Sequence, residues 1–156
     1  MPQANRTVDD TFRSRIEKLR EAMKEFGLEA VIVEPGPAMT YLTGVRRGRS
    51  ERTFALVVPS RGEIAFVVPG FEEMRARELI QPGTDIRIWQ EDESPFERLA
   101  QILKDRGIVS GRIGLDPSVR FFVFDGVGRV APDLKYVSAE PALKSAGADT
   151  PAPAQR

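Results

Sequence analysis

The stretch Thr53–Val68 reads TFALVVPSRGEIAFVV. It contains two almost continuous apolar runs, Thr53–Val58 and Ile64–Val68, joined by a short spacer rich in turn-forming residues. The spacer has the length of a hairpin connection, so the two runs are predicted to form neighbouring antiparallel strands. Because the apolar residues do not alternate with polar ones, these strands are expected to be covered on both faces of a sheet.

The rest of the chain alternates between helix and strand patterns. Helices are predicted over Asp9–Phe26, Ala38–Leu42 and Gly70–Gln81, and from the capping box Ser94-Pro95-Phe96-Glu97 to Gly107. Further strands are predicted over Ala30–Val33, Asp85–Trp89, Arg112–Leu115 and Leu134–Ser138. The pattern indicates an α/β fold, and the hairpin makes its six-stranded sheet mixed, with helices flanking it.

The sequence does not decide whether the segment between the last two predicted strands forms a helix or a strand. Asp116-Pro117 resembles a helix N-cap followed by proline at the first helical position, and a helix is expected between two such strands. Val119–Phe124, however, contains residues typical of strands, and Gly126 and Gly128 disfavour a helix.

The length of 156 residues suits about one domain. Residues 1–8 are expected to be a flexible N-terminus and residues 9–144 the folded domain. The segment 145–156 is rich in Ala and Pro and is predicted to be a disordered tail or a linker stub.

The composition excludes several classes of site. The chain has no His and no Cys, which excludes Ser/His/Asp and Cys/His nucleophiles and the usual zinc sites. With 23 basic and 23 acidic residues the net charge is zero, so nothing global indicates a nucleic-acid or membrane partner. No apolar run approaches the roughly 18 residues of a membrane span, and the first twelve residues are polar, so a cytoplasmic protein is expected.

A basic loop follows the short second helix. Residues 46–52 (RRGRSER) contain four arginines and one glutamate, a local charge of +3. Guanidinium groups suit carboxylates and phosphates, although a simply solvated loop is an equally open interpretation. Nucleic-acid binding is disfavoured, because the chain has no second basic patch and no interleaved aromatic residues on which bases could stack.

Two other groups of residues invite functional hypotheses. A carboxylate-dependent metal enzyme would need several acidic residues to converge on paired metals. The candidates near predicted strand ends are Glu63, Asp85, Asp116 and Asp125, and each has a simpler role in a turn, strand or cap. The phenylalanines of VRFFVF, at positions 121, 122 and 124, are expected in the core or on a docking face.

Several motifs together resemble one known family. Met39-Thr40-Tyr41-Leu42-Thr43-Gly44, followed by the RTFALVVP stretch of residues 52–59 and by Gly62-Glu63 leading into Phe66–Pro69, resembles the creatinase/prolidase N-terminal domain. This is the front domain of Xaa-Pro aminopeptidases, prolidases and creatinase. The segments 26–31 and 112–116 also resemble that family, and the resemblance extends from about Arg13 to Pro141. It implies an α/β domain with a six-stranded mixed sheet and a ribonuclease-H-like motif.

The resemblance also carries functional expectations. In that family a second domain of the pita-bread fold is the catalyst, and it binds two divalent ions such as Mn or Co through two Asp, one His and two Glu, except in creatinase, which works without metal. The resemblance therefore implies a stand-alone or truncated N-terminal domain that is non-catalytic and has no metal site or cofactor of its own. Its implied role is dimer assembly or substrate gating.

The resemblance suggests partners and site residues as well. The expected partner is a second copy, forming a homodimer, or a catalytic pita-bread domain; the alternative is an interaction module that binds a separately encoded catalytic half. In relatives the loop after the YLTG motif lies near a catalytic domain, often that of the neighbouring subunit. The residues implied to gate substrate or form the interface are Tyr41, Arg46, Arg47 and Arg52.

Overall fold

A computed structural model describes residues 2–148 of the chain, with side chains from residue 10 onward. Six helices, a 3₁₀ turn and six strands occur in this range. In chain order they are α1 (Pro2–Phe26), β1 (Leu28–Val33), α2 (Pro37–Thr43), β2 (Ala55–Pro59), β3 (Ala65–Pro69), the 3₁₀ turn Gly70–Glu72, α3 (Glu73–Leu79), β4 (Asp85–Trp89), α4 (Pro95–Asp105), β5 (Arg112–Leu115), α5 (Phe121–Val130), β6 (Lys135–Ser138) and α6 (Glu140–Ser145).

The six strands form one mixed sheet in the order β4-β3-β2-β1-β5-β6. Strand β2 is antiparallel to both β1 and β3, whereas the other neighbouring pairs are parallel. This confirms the predicted hairpin and the mixed sheet. Because β2 alone runs in the opposite direction, the other five strands end where β2 begins. We call this edge of the sheet the carboxyl edge, and the opposite one the amino edge.

Helices cover both faces of the sheet. Leu56 and Val58 of β2 point to the layer that contains α1, α2 and α6, while Ala55 and Val57 point to the layer of α4 and α5. All five residues of β2 and of β3 are buried, which confirms the prediction of strands covered on both sides. No helix within residues 2–148 combines the length and apolarity needed to cross a membrane.

Helix α4 begins as its sequence predicts. The Ser94 hydroxyl accepts hydrogen bonds from the backbone N–H groups of Phe96 (3.1 Å) and Glu97 (3.3 Å), and Pro95 occupies the first helical position. These contacts satisfy donors that have no partner inside the helix. The buried face of Leu99, Ile102 and Leu103 then packs against the sheet.

The segment after β5, whose conformation the sequence leaves undecided, forms helix α5, which starts at Phe121. The interpretation of Asp116 as its N-cap was therefore wrong. The Asp116 carboxylate instead accepts hydrogen bonds from the N–H (3.3 Å) and the hydroxyl (3.2 Å) of Ser118 and so stabilises a turn that precedes the helix. Tertiary packing outweighs the strand propensity of this segment, because Val123 and Val127, one helical turn apart, are both fully buried.

The helices show three larger differences from the prediction. Helix α1 extends back to Pro2, and the helix predicted over 70–81 is a 3₁₀ turn followed by α3, which ends at Leu79. Helix α6 was not predicted at all. It packs on α1, and beyond it Ala146 and Ala148 are also buried. The rest of the predicted tail, 149–156, lies outside the described residues, and the domain limits stay predictions.

Candidate functional site

The basic loop runs along the carboxyl edge, between the end of α2 and the start of β2. At its beginning Gly44 adopts a left-handed conformation with φ of 80°, which favours glycine, and the Thr40 hydroxyl donates a hydrogen bond to the Val45 carbonyl (2.9 Å). At its end the Trp89 indole N–H donates to the carbonyl of Thr53 (2.9 Å). Both ends are therefore held by residues of the folded core.

Arg47 turns inward toward the 3₁₀ turn after β3. Its Nη2 lies 2.7 Å from Oε2 of Glu72, and both side chains are largely buried, at 15% and 18% exposure. Its guanidinium carbon also lies 4.4 Å from the ring centroid of Phe54. The Nη1 atom is buried and has no hydrogen-bond partner among the described residues. Arg47 thus anchors the loop through an ion pair and a cation–π contact.

Arg52 lies at the other end of the loop. It bonds Oε2 of Glu91, in the β4–α4 connection, at 2.7 Å, and its guanidinium carbon lies 5.1 Å from the ring centroid of Phe71. Phe71 is 70% exposed, so Arg52 and Phe71 together present a mixed basic and aromatic surface.

Arg46 and Tyr41 differ from these two arginines. Arg46 is exposed and has no hydrogen bond or ion pair within residues 10–148. Tyr41 lies on the α1 side, where its carbonyl accepts a bond from Arg15 (2.8 Å) and the Arg15 guanidinium stacks 4.2 Å from its ring centroid. The structure therefore places Arg47 and Arg52 against neighbouring elements at the β3–β4 end, and Tyr41 apart from them. The interface role of all four stays a prediction.

Arg49 makes three side-chain hydrogen bonds, more than any of the predicted residues of the loop, and sequence reasoning did not single it out. Its Nε donates to the carbonyl of Pro35 (2.8 Å), Nη1 donates to the carbonyl of Ser118 (2.6 Å), and Nη2 donates to the Ser118 hydroxyl (2.7 Å). One guanidinium therefore ties the loop to the segments that follow β1 and β5. With three of its four arginines engaged, the loop is docked on the sheet edge.

An ion pair with a buried carboxylate lies beside the Arg49 contacts. Glu34, the residue after β1, is fully buried, and its carboxylate accepts bonds from Arg120 through the backbone N–H (2.8 Å), Nε (3.0 Å) and Nη2 (2.6 Å). The pair joins the end of β1 to the start of α5. A signal was available in the sequence, since Glu34 directly follows the apolar run Ala30–Val33 where a solvated charge is not expected.

The four candidate carboxylates do not converge. Glu63 bonds Thr84 and Asp85 bonds Arg87, both at the amino edge, while Asp116 bonds Ser118 at the carboxyl edge and Asp125 pairs with Arg129 along α5. In the part of the chain that the structure describes, no group of three or more His, Cys, Asp or Glu side chains could hold a metal ion. The arrangement that a two-metal enzyme requires is not formed by these residues.

The perturbed carboxylates belong to the amino edge. Hydrogen bonds from the Arg87 guanidinium, with a further contribution from Arg106, lower the pKa of Asp85 to about 2. The backbone and hydroxyl of Thr84 lower the pKa of Glu63. Both groups are thereby stabilised as ion-pair or hydrogen-bond acceptors, and neither is suited to act as a general acid at neutral pH.

Comparison with known sequences identifies the relatives of the chain. A family model described as the creatinase/prolidase N-terminal domain matches residues 15–146. An uncharacterized peptidase from Schizosaccharomyces pombe is 32% identical over 143 residues, which are 81% of this chain and 31% of that protein. The putative dipeptidase YkvY from Bacillus subtilis is 27% identical over 133 residues, 83% of this chain and 36% of that protein. The chain therefore spans about a third of the length of these relatives.

Solved structures show the same architecture. A dipeptidase from Pyrococcus horikoshii OT3 matches with a TM-score of 0.72 and 26% identity, over 83% of this chain and 35% of that one. The N-terminal domain of an X-Pro dipeptidase from Streptococcus pyogenes matches with a TM-score of 0.71 over 84% of this chain and 97% of that one. At 20% identity the second match shows the fold alone.

Proposed function

Because this chain belongs to the creatinase/prolidase N-terminal domain family, we propose that it is a non-catalytic N-terminal domain that works beside a pita-bread catalytic domain. The observation that carries the proposal is the family match over residues 15–146 of the 156. Relatives are named as peptidases and dipeptidases, so the reaction to which this domain contributes is hydrolysis of a short peptide, with Xaa-Pro peptides as the substrate class to test.

The chemistry of the described residues supports a non-catalytic role. The family resemblance assigns two divalent ions, such as Mn or Co, to ligands that include a histidine of the catalytic domain, and this sequence contains no histidine. The four carboxylates that were candidates for a metal site instead bond arginine, serine or threonine side chains or backbone. We therefore propose that the metal ions are bound by the catalytic domain and that this chain takes no direct part in the catalytic step.

The proposed contribution of the domain is gating or assembly through its arginine loop. Arg47 and Arg52 hold the loop against the β3–β4 end of the carboxyl edge, which leaves the Arg46 guanidinium available to a carboxylate of the substrate or of the catalytic domain. Tyr41 supports the other side of the loop through α1. A homodimer that brings this loop to the catalytic domain of a neighbouring subunit, in the cytoplasm, is part of the same proposal.

A direct assay tests the absence of catalysis. The purified chain is incubated with Mn²⁺ or Co²⁺ and an Xaa-Pro dipeptide. Released proline is compared with that of a control that contains the metal and the dipeptide but no protein. We expect no turnover above that control, because the described residues supply no metal site. Robust turnover by the purified chain would contradict the proposal.

A binding experiment tests the role of the loop. The tagged chain is used to capture a pita-bread catalytic domain of this family, and its own association state is measured by sedimentation. Arg46→Glu is expected to weaken association about tenfold, because it reverses a charge that has no hydrogen-bond or ion-pair partner within residues 10–148. The matched control is Arg61→Glu at the amino edge, which should leave association unchanged. A strictly monomeric chain that captures no catalytic domain would refute the assembly role.

A further inference from the structure

The aromatic side chains at the start of α5 are not used by the function proposed above. Phe121 is 72% exposed, and Phe122 and Phe124 are each 39% exposed. The ring centroids of Phe121 and Phe124 lie 5.8 Å apart, and Phe124 packs edge-on against Tyr136 of β6 at 6.2 Å. A continuous row of rings therefore leads from the surface of α5 to the last strand of the sheet.

This row forms one wall of a shallow groove. The groove has a volume of about 380 Å³, and its apolar lining includes Val119, Phe121, Phe124, Tyr136 and Val137. It lies at the carboxyl-edge end of β6. A groove with aromatic walls beside a strand offers a place for an apolar side chain of a bound segment.

The neighbouring strand has an open side. Among residues 2–148, strand β6 is the last strand of the sheet and pairs with β5 alone. The N–H groups of Lys135 and Ala139 point inward, where they donate to Gly111 (2.9 Å) and Leu115 (2.7 Å). Since backbone groups alternate in direction along a strand, Tyr136 and Ser138 turn their N–H and C=O groups outward. An extended peptide can pair with such an edge through its own backbone.

Two cations mark the other end of this edge. Arg112 of β5 and Lys135 of β6 are direct neighbours in the parallel register, and both are exposed. Neither has an ion pair or side-chain hydrogen bond within residues 10–148. Like charges on adjacent strands repel each other, so an anion bound near both would relieve that repulsion.

From these three features we propose that the open edge of β6 binds an extended peptide that runs antiparallel to β6. Its C-terminal carboxylate lies beside Lys135 at the start of β6, where Arg112 on the next strand adds positive charge, and an apolar side chain fills the groove beside Phe121. Four extended residues span about 13 Å, which equals the length of a four-residue strand such as β6. The proposal does not depend on the gating function, because it uses a different strand and different residues.

The direction of the side chains sets the sequence of the peptide. Tyr136 packs in the layer of α4 and α5, so a peptide residue opposite Tyr136 or Ser138 points to the same side as the aromatic row. The ligand therefore has apolar residues at alternate positions and ends in a free carboxylate. A second copy fits less well: pairing two β6 strands antiparallel about an axis at Val137 places Tyr136 opposite Ser138 and Lys135 opposite Ala139, which supplies no carboxylate.

The test uses the peptide N-acetyl-Leu-Thr-Leu-Thr with a free C-terminus. Binding to the isotopically labelled full chain is followed by NMR, and we expect amide shifts confined to β5, β6 and α5 with a dissociation constant on the order of 100 µM. The same peptide with a C-terminal amide should bind about fivefold more weakly, because it lacks the anion. N-acetyl-Ser-Thr-Ser-Thr should also bind about fivefold more weakly, because it leaves the groove empty.

Surface variants test the two halves of the site. Phe121→Ser and Lys135→Gln should each weaken binding about fivefold. Phe71→Ser is the matched control, since Phe71 is similarly exposed, at 70%, but lies beside β3 and β4. The proposal is overturned if the peptide causes no shifts at β6 at about 2 mM, or if the amide peptide binds equally well. It also fails if Phe71→Ser weakens binding as much as Phe121→Ser, or if the β6 shifts depend on protein concentration without peptide.

Discussion

Arg49 connects three segments of the carboxyl edge with a single side chain. Its guanidinium reaches Pro35 and Ser118, which precede and follow it by 14 and 69 residues. A planar guanidinium can make three such bonds in fixed directions, whereas the ammonium of lysine cannot reproduce that fork. Arg49 is therefore the residue on which the position of the arginine loop depends most.

Replacing Arg49 by alanine should loosen the loop without unfolding the domain. We expect amide hydrogen exchange at residues 46–50 to become at least about tenfold faster, and the free energy of unfolding to fall by about 1–2 kcal/mol. Hydrogen exchange by mass spectrometry and urea denaturation measure the two effects. The exchange rate and stability of Arg49→Lys should be close to those of Arg49→Ala, because lysine restores the charge without the three directed hydrogen bonds.

Arg46→Ala provides the control for this prediction. Since Arg46 has no hydrogen-bond or ion-pair partner within residues 10–148, its removal should leave both the exchange rate and the stability unchanged. Equal exchange in the Arg49→Ala and Arg46→Ala proteins would show that Arg49 does not hold the loop.

Among the elements, α5 shows how tertiary contacts select a conformation. Gly126 lies where α5 meets α4, and a Cβ atom there would come within 2.5 Å of the Phe96 ring. At Gly128 the nearest atom to such a Cβ is on Tyr136, at 3.9 Å, which is an ordinary contact. One of the two glycines that disfavour a helix is therefore required by the packing of its neighbour, and the other is not.

These two glycines should respond in opposite ways to alanine. Gly128→Ala should stabilise the protein by about 0.5–1 kcal/mol, because alanine loses less backbone entropy in a helix. Gly126→Ala gains the same entropic stabilisation, but its Cβ atom forces the Phe96 ring away. We therefore expect a net destabilisation of about 1–2 kcal/mol. Thermal and urea denaturation of the two variants measure the difference. Stabilisation by both would show that α4 and α5 do not approach as closely as described.

For the molecule as a whole, the amino edge carries an ion-pair cluster that joins β4 to α4. Oδ1 of Asp85 lies 2.7 Å from Nε of Arg87, and its Oδ2 lies 2.5 Å from Nη2 of Arg106. Nη1 of Arg87 also lies 2.8 Å from Oδ2 of Asp105. These contacts lower the pKa of Asp85 from its usual 3.8 to about 2 in the folded protein. The ionised carboxylate therefore stabilises the fold above pH 4, and that stabilisation is lost as the pH falls from about 4 to about 2.

Asp85→Asn should remove this pH dependence. At pH 7 we expect the variant to be less stable by about 1–2 kcal/mol, a value reduced for the partial solvent exposure of the cluster. Near pH 2 most of the difference from the parent protein should be lost, since Asp85 is then protonated in the unfolded state and about half protonated in the folded state. Urea denaturation across this pH range measures it. Asp92→Asn is the control, because Asp92 is exposed, and an equal loss of stability there would contradict the assignment to the cluster.

The local sequence determined the elements whose signals lie within a few residues of each other. The apolar runs of β2 and β3, the Ser94 cap of α4 and the YLTG segment that ends at Gly44 all specify their conformation through short-range sterics and hydrogen bonds. Because the covered strands demand helices on both faces, the α/β architecture with its mixed sheet followed from these signals. The family resemblance rests on the same stretches, and the family match confirms it.

Contacts between distant segments were decided by the tertiary structure. Arg49 meets Ser118 across 69 residues and Arg120 meets Glu34 across 86, and nothing in the spacing of these residues specifies the pairing. The same is true of α5 and α6, whose weak local helix signals are outweighed by burial of Val123, Val127 and Leu143. A guanidinium can bond many different acceptors, and an apolar side chain can pack against many different neighbours. Only the order of the strands determines which of these partners is within reach.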